Sequence, residues 1–320
     1  MWASILPHKE VHFTYWYKRL SILILFPSFL LLGLAFRHPL AAEQRILVFG
    51  RVNDDPVKSI KERQEFVDYL ANKLAPLGIA SGTVMVVDKM HLLVHALKEG
   101  KVDLFHDSVV PTMVLSEWLC SVPILRQWKY GKADYSGIIV VKKNSGIDTL
   151  ADLKGKVIGF DEPHSTSASI LPRMLLAEKK LKLVAVKSPG AVKPDVVGYE
   201  YGEDGSSVNR LVTDRVDAAA SIDREIERLR PEVRETLKII GRTISVPRQI
   251  ISVRKDLDSK LVKALKKVLL NMDKDPEGQE VLNRQQNTTK FDEIPLGSLE
   301  HLRYVERYVF STLRKEVDSW

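Results

Sequence analysis

RILVFGRVNDDPVKSIKERQEFVDYLANKL (residues 45–74) begins with an apolar, partly alternating run that suits a buried strand over 45–52. Asn53, Asp54, Asp55 and Pro56 then turn the chain. A helix is expected from about 61 to 74, with Phe66, Tyr69, Leu70 and Leu74 on its apolar face. TVMVVDKMHLLVHALKEGKVDLF (83–105) repeats the pattern: a strand to Asp88, a helix carrying Leu93, Val94 and Leu97, a stop at Gly100, and a strand from Val102. Strands and helices in alternation bury each other's apolar faces, so this portion reads as a layered α/β lobe.

Further along, YSGIIVVKKNSG (135–146) returns to a strand pattern and ends in a turn. KVIGF (156–160) and VDAAASI (216–222) read as further strands, and a second lobe is expected from Gly137 to about Gly241. A strand over 250–253 then leads back toward the first lobe. Leu261, Val262, Leu265, Val268 and Leu269 mark an amphipathic helix, and Leu299, Leu302, Val305 and Val309 a closing one.

Before this body, Lys18 and Arg19 precede LSILILFPSFLLLGLAF, an apolar run over 20–36. Its length and basic flank read as a secretory signal or a membrane anchor, with Leu40, Ala41 and Ala42 as an imperfect cleavage site before Glu43. The bulk of the chain is then expected in the periplasm or on the outer face of the cytoplasmic membrane.

Forty-eight Lys and Arg against 41 Asp and Glu give a formal charge of +7. Removing 1–42, with four basic residues and one acidic, leaves +4, a bias too mixed to indicate nucleic acid. Cys120 is the sole cysteine, so no internal disulfide forms. Neither a zinc-ligand spacing nor a GxSxG, HExxH or P-loop motif occurs. No enzyme activity, cofactor or metal is expected, and the chain is expected to act as a monomer.

The chemistry concentrates in FDEPHSTSASILP (160–172). A strand ending at Phe160 delivers Ser165, Thr166 and Ser167 to the start of an expected helix, where hydroxyls and unpaired amides converge on an oxyanion without a buried full charge. The structural alternative is one serine capping the helix while its neighbours face water.

At these residues the sequence resembles the periplasmic phosphate, phosphite and phosphonate solute-binding proteins of ABC importers. The resemblance runs from about Ile46 to Tyr304, most specifically through HSTS (164–167), DRVDAAASID (214–223) and VPRQIISVRKDL (246–257). It implies an α/β, two-lobed type II periplasmic-binding-protein-like fold with a central cleft. The implied limits are a signal peptide or anchor over 1–42, lobe one over 43–136 and 244–320, and lobe two over 137–243. Ser165, Thr166 and Ser167 match the family's anion loop, although Ala168 stands where glycine is frequent.

VDLFHDSVVP (102–111) resembles the family's opposing strand and turn. There Ser108 is an expected donor, and Asp107 an acceptor for an amino or protonated phosphoryl group, or else a surface cap. Tyr199 is an expected cleft wall, and Arg248 a hinge or rim residue or else a bidentate contact to the oxyanion. The implied function is reversible capture of phosphate, phosphite or a small phosphonate for an ABC permease. The alternative is a membrane-tethered sensory receptor that signals through a partner.

Overall fold

A computed structural model describes residues 45–118, 120–186, 192–203, 205–285, 287–318 and 320. The expected signal or anchor run over 20–36 lies outside the described residues. Among the described residues no helix is long and apolar enough to cross a membrane.

The first lobe starts with β1 (Arg45–Val52), α1 (Pro56–Leu74), β2 (Ile79–Val87), α2 (Met90–Lys98), β3 (Leu104–Asp107), α3 (Val109–Glu117) and β4 (Ser121–Lys129). The second lobe holds β5 (Asp134–Lys142), β6 (Val157–Phe160), α4 (Leu171–Glu178), β7 (Leu183–Ala185), β8 (Val197–Tyr201), α5 (Ser207–Val212), β9 (Ala218–Ser221), α6 (Asp223–Glu227), α7 (Pro231–Arg234) and β10 (Leu237–Pro247). The chain then returns through β11 (Gln249–Arg254), α8 (Ser259–Asn271), α9 (Pro276–Arg284), β12 (Thr288–Asp292), α10 (Leu296–Thr312) and α11 (Arg314–Val317).

Two six-stranded sheets result, ordered β12-β4-β11-β3-β1-β2 and β10-β5-β9-β6-β8-β7. β1 is parallel to β2 and β3, and β6 is parallel to β8 and β9. Because β11 is antiparallel to both β3 and β4, β4 ends on the same edge of its sheet as β1 and β3. Open α/β sheets place ligands beyond such carboxyl edges. Each sheet is covered on both faces: Leu47, Phe49, Phe66 and Leu70 pack on one side of the first, and Leu93, Phe105, Val110 and Val114 on the other.

α1 starts earlier than its apolar spacing alone implies. Asp55 accepts from the Lys58 amide at 3.0 Å and Pro56 occupies the first turn, so a side-chain cap and a preset φ nucleate the helix before Lys61.

The chain passes between sheets over 130–133 and again at Arg248, a few residues outside the limits expected at 136/137 and 243/244. β5 and β10 keep pairing out to Asp134 and Pro247, and that pairing sets where each crossing lies. The crossings are stitched together, the Arg248 amide donating to the Ala133 carbonyl at 2.8 Å.

α10 and α11 lie across both lobes. Leu302, Val305 and Val309 share a core with Val110 and Val114 of α3 and with Ile170, Leu171 and Met174 of the second lobe. Arg173, 5% exposed on α4, makes a two-pronged ion pair with Glu316 of α11, both contacts at 2.8 Å. Its guanidinium also donates to the Tyr201 hydroxyl at 2.6 Å.

Candidate functional site

Two strand-to-helix corners face each other. In the first lobe, β3 ends at Asp107 and Ser108 stands at the head of α3. In the second, β6 ends at Phe160 and the chain reaches Ser165 through Asp161, whose carboxylate accepts from the amides of Gly205 and Ser207 at 3.0 and 3.1 Å.

The Ser165–Ser167 segment does not open an ordinary α-helix. Thr166–Ile170 forms a π-helical turn, in which the Ile170 amide reaches back five residues to the Ser165 carbonyl at 2.9 Å. Ser165 stands at its head and its hydroxyl caps nothing. The wide turn aims Thr166 across the gap rather than along its own axis. Thr166, 1% exposed, donates to the Ser108 hydroxyl at 3.0 Å and accepts from the Val110 amide at 2.9 Å. One lobe's hydroxyl thus satisfies an orphan amide at the head of the other lobe's helix.

Gly137 of β5 makes this placement possible. A Cβ there would collide with the Ser167 carbonyl, so only glycine lets the turn lie against the strand. Tyr135, two residues earlier, is half-buried: desolvation raises its phenol pKa, opposed by hydrogen bonding with Ser167, the Arg248 charge and Thr166.

The structure therefore brings together Ser108, Thr166 and Ser167, with Ser165 at the head of the turn and Asp107 beside Ser108. Asp107 is half-buried, and its carboxylate accepts from the Ser108 amide at 2.7 Å. Tyr199 sits elsewhere. It packs in the second lobe's own core against Phe160 and Tyr201, with ring centroids 5.7 and 5.3 Å away, and beneath the Arg173 guanidinium.

Charge is the feature that stands outside the expected set of neutral donors. Arg63 points inward from α1, is 2% exposed, and donates to the Gln285 side chain at 2.6 Å. Burial first, then the Arg51 charge, pulls its pKa down to about 10, while Glu62 and Asp107 oppose the shift. Lys129, at the end of β4, is 9% exposed; burial, followed by Arg248, Arg63, Arg51 and Arg224, lowers it to about 7. His106 is held neutral, well below the usual imidazole range, by burial and then by Arg63, Arg51 and Lys129. The anion was expected to be gripped through neutral donors, yet mutually coupled basic groups gather in the first lobe around His106, near the carboxyl ends of β1 and β4.

The signal for Arg63 is in the sequence. It lies on the buried stripe of α1 with Ser59, Phe66, Val67, Leu70 and Leu74, where a solvated arginine has no place. Lys129 and Arg248 carry no comparable local signal, because they meet only through the sheet and the crossing segments. Arg248 stands at the second crossing, as expected, with its guanidinium 5.1 and 5.8 Å from the Tyr135 and Tyr130 ring centroids.

Hydroxyls, helix-end amides and cations on two facing corners can bind an oxyanion between them. Among the described residues no group of three or more His, Cys, Asp or Glu side chains is arranged to hold a metal ion.

Comparison with known proteins agrees in fold. XAC2383 from Xanthomonas citri bound to chloride ion superposes with a TM-score of 0.78 at 23% identity, covering 86% of this chain and 99% of that one. The same protein bound to ATP gives 0.76 at 23% identity, with 86% and 98% covered. PhnD1 from Prochlorococcus marinus in complex with methylphosphonate gives 0.62 at 18% identity, covering 83% and 98%. The family model described as "ABC transporter, phosphonate, periplasmic substrate-binding protein" matches residues 52–295, from the end of β1 to the start of α10. That match takes in both facing corners and both crossings, and the chain belongs to this family of periplasmic substrate-binding proteins, the solute-capturing components of ABC importers.

Proposed function

We propose that the chain reversibly captures phosphate, phosphite or a small phosphonate between its lobes and passes it to an ABC permease. The observation that carries this reading is the meeting of Thr166 with Ser108 and the Val110 amide, which sets donors of both lobes around one gap. A ligand that touches both corners stabilises the closed arrangement by the difference in its affinity for the two states. The two fold relatives solved with methylphosphonate and with ATP each carry a ligand built on phosphorus–oxygen groups, which favours this ligand chemistry here.

Ser108, Thr166 and Ser167 act as donors, and Ser165 contributes from the head of the turn. Asp107 sets the Ser108 amide and limits the negative charge that approaches it. Tyr199 shapes the second lobe from behind. The protein works as a monomer in the periplasm, with 20–36 as its signal peptide or anchor.

Calorimetric titration of the full-length chain with phosphate, phosphite and methylphosphonate tests the reading. One-to-one saturation is expected, lost in a Ser108→Ala, Thr166→Val double variant that still melts cooperatively. Absence of heat with all three in the folded protein would overturn it.

A further inference from the structure

A cavity of about 370 Å³ opens beside the crossing segments, lined by Lys129, Tyr130, Lys132, Tyr135, Arg224 and Arg248 among others. It adjoins the hydroxyl corner through Tyr135, whose phenol meets Ser167 and Thr166 on one side and whose ring faces Arg248 on the other. Its volume lies in the range of organic-ligand pockets, about 300–1,000 Å³, and leaves room beyond a single oxyanion.

The wall's charges do not cancel. Besides Lys129, four cationic side chains line it, namely Lys132, Arg224, Arg242 and Arg248, against three carboxylates: Asp134, Asp223 and Glu227. Asp223 is taken by Arg242, with contacts of 2.6 and 2.7 Å, and Asp134 by Arg126 at 2.9 Å. Among the described residues neither Arg224, Arg248 nor Lys132 makes an ion pair. The Nε atoms of Arg224 and Arg248 are buried without a hydrogen-bond partner there.

Instead the tyrosines hold these groups. Arg224 lies over the Tyr130 ring at 3.2 Å, and Arg248 stands between Tyr130 and Tyr135. Stacking fixes a guanidinium by its face and leaves its N–H edge to donate. Like charges gathered at partly buried sites repel, so the arrangement is stabilised by an anion that spans them. A single phosphonate head satisfies one such fork. The two guanidinia and the Lys132 ammonium around one cavity call for more than one anionic group in series.

Resting on the reading that the gap holds a phosphorus oxyanion, we propose that this cavity extends the site for a ligand bearing a condensed phosphate chain. That chemistry occurs as an inorganic chain or on an organic carrier. Glu227 is then the one carboxylate on the wall without an ion-pair partner among the described residues, and it faces the carrier or solvent.

Calorimetry of the full-length chain at 0.15 M salt with tripolyphosphate, ATP, inorganic phosphate and methylphosphonate distinguishes the cases. Both condensed phosphates are expected to bind at least about tenfold tighter than methylphosphonate, which is the scale of one added charge-assisted contact. Equal affinities for tripolyphosphate and ATP assign the recognition to the chain alone; tighter ATP adds the organic carrier. Arg224→Gln is expected to weaken both by about tenfold while methylphosphonate changes less than about threefold. Lys132→Gln, at an exposed position, gives the same comparison if Arg224→Gln fails to fold. Methylphosphonate binding as tightly as either condensed phosphate, or uniform weakening across all probes, overturns the extension and leaves the interlobe reading standing. Failure of every probe to bind overturns both.

Discussion

The hydroxyls of Thr166 and Ser108 lie 3.0 Å apart, one at the head of the second lobe's π-turn and the other at the head of α3 in the first. Neither caps its own helix; the contact instead joins the lobes through groups that also suit an oxyanion.

Thr166→Val keeps the shape and removes the hydroxyl, leaving the buried Val110 amide without its partner. A loss of about 1–3 kcal/mol in unfolding free energy is expected from that unmet donor, measured by urea denaturation. Affinity for the phospho-anion should fall about tenfold in calorimetry. Wild-type values in both would refute the role assigned to this side chain.

Gly137→Ala is expected to push the π-turn away from β5, because the new methyl meets the Ser167 carbonyl. Overpacking of this kind costs about 1–3 kcal/mol, and anion binding should drop with it. Gly297→Ala in α10, where the added methyl meets nothing within 4 Å, is the control and should bind as wild type. Equal behaviour of the two variants would show that the close approach is unimportant.

Lys129 gives stability a pH dependence of known sign. Its folded pKa of about 7 lies below the ordinary lysine value of 10.5, so between those limits the unfolded chain binds more protons and stability rises with pH. Lys129→Met removes the buried charge. The variant's stability advantage should be largest near pH 6 and shrink as pH climbs toward 10. A difference that stays flat across that range in pH-dependent denaturation would contradict the neutral form of Lys129.

Glu316 provides the opposite case. Its hydrogen bonds with Arg173 hold the carboxyl below its usual range despite partial burial, so the stability it contributes is present above about pH 4.5 and lost on acidification. Glu316→Gln leaves Arg173 buried at its α4 position. Breaking a buried pair costs about 3–5 kcal/mol, and because Glu316 is 37% exposed about 1–3 kcal/mol is expected here. Thermal melting at pH 7 and pH 4 should show the variant's deficit shrinking in acid.

The layered plan was legible because β1, β2 and β3 are apolar runs separated by a cap, a helical stripe and a glycine stop, all local signals. The anion corner was legible as a strand followed by three hydroxyls. Its π-turn was not, since the bond from Ile170 to Ser165 differs from a helical one by a single residue of reach, which side-chain pattern does not encode. A charged residue on a helix ordinarily belongs to water, yet the spacing of Arg63 with Phe66 and Leu70 places it inside. Lys129, Arg224 and Arg248 become neighbours only when two sheets and both crossings are assembled.

Arg248 is the sole residue between β10 and β11, and its amide is tied to Ala133 in the other crossing. Any rotation of one sheet against the other must be absorbed by this peptide and by 130–133. The guanidinium that borders the anion cavity is therefore mounted on the pivot itself, so a bound solute that grips it acts as a brake on the joint. Occupancy would register as slower relative motion of the sheets, even with every pocket-lining atom left in place.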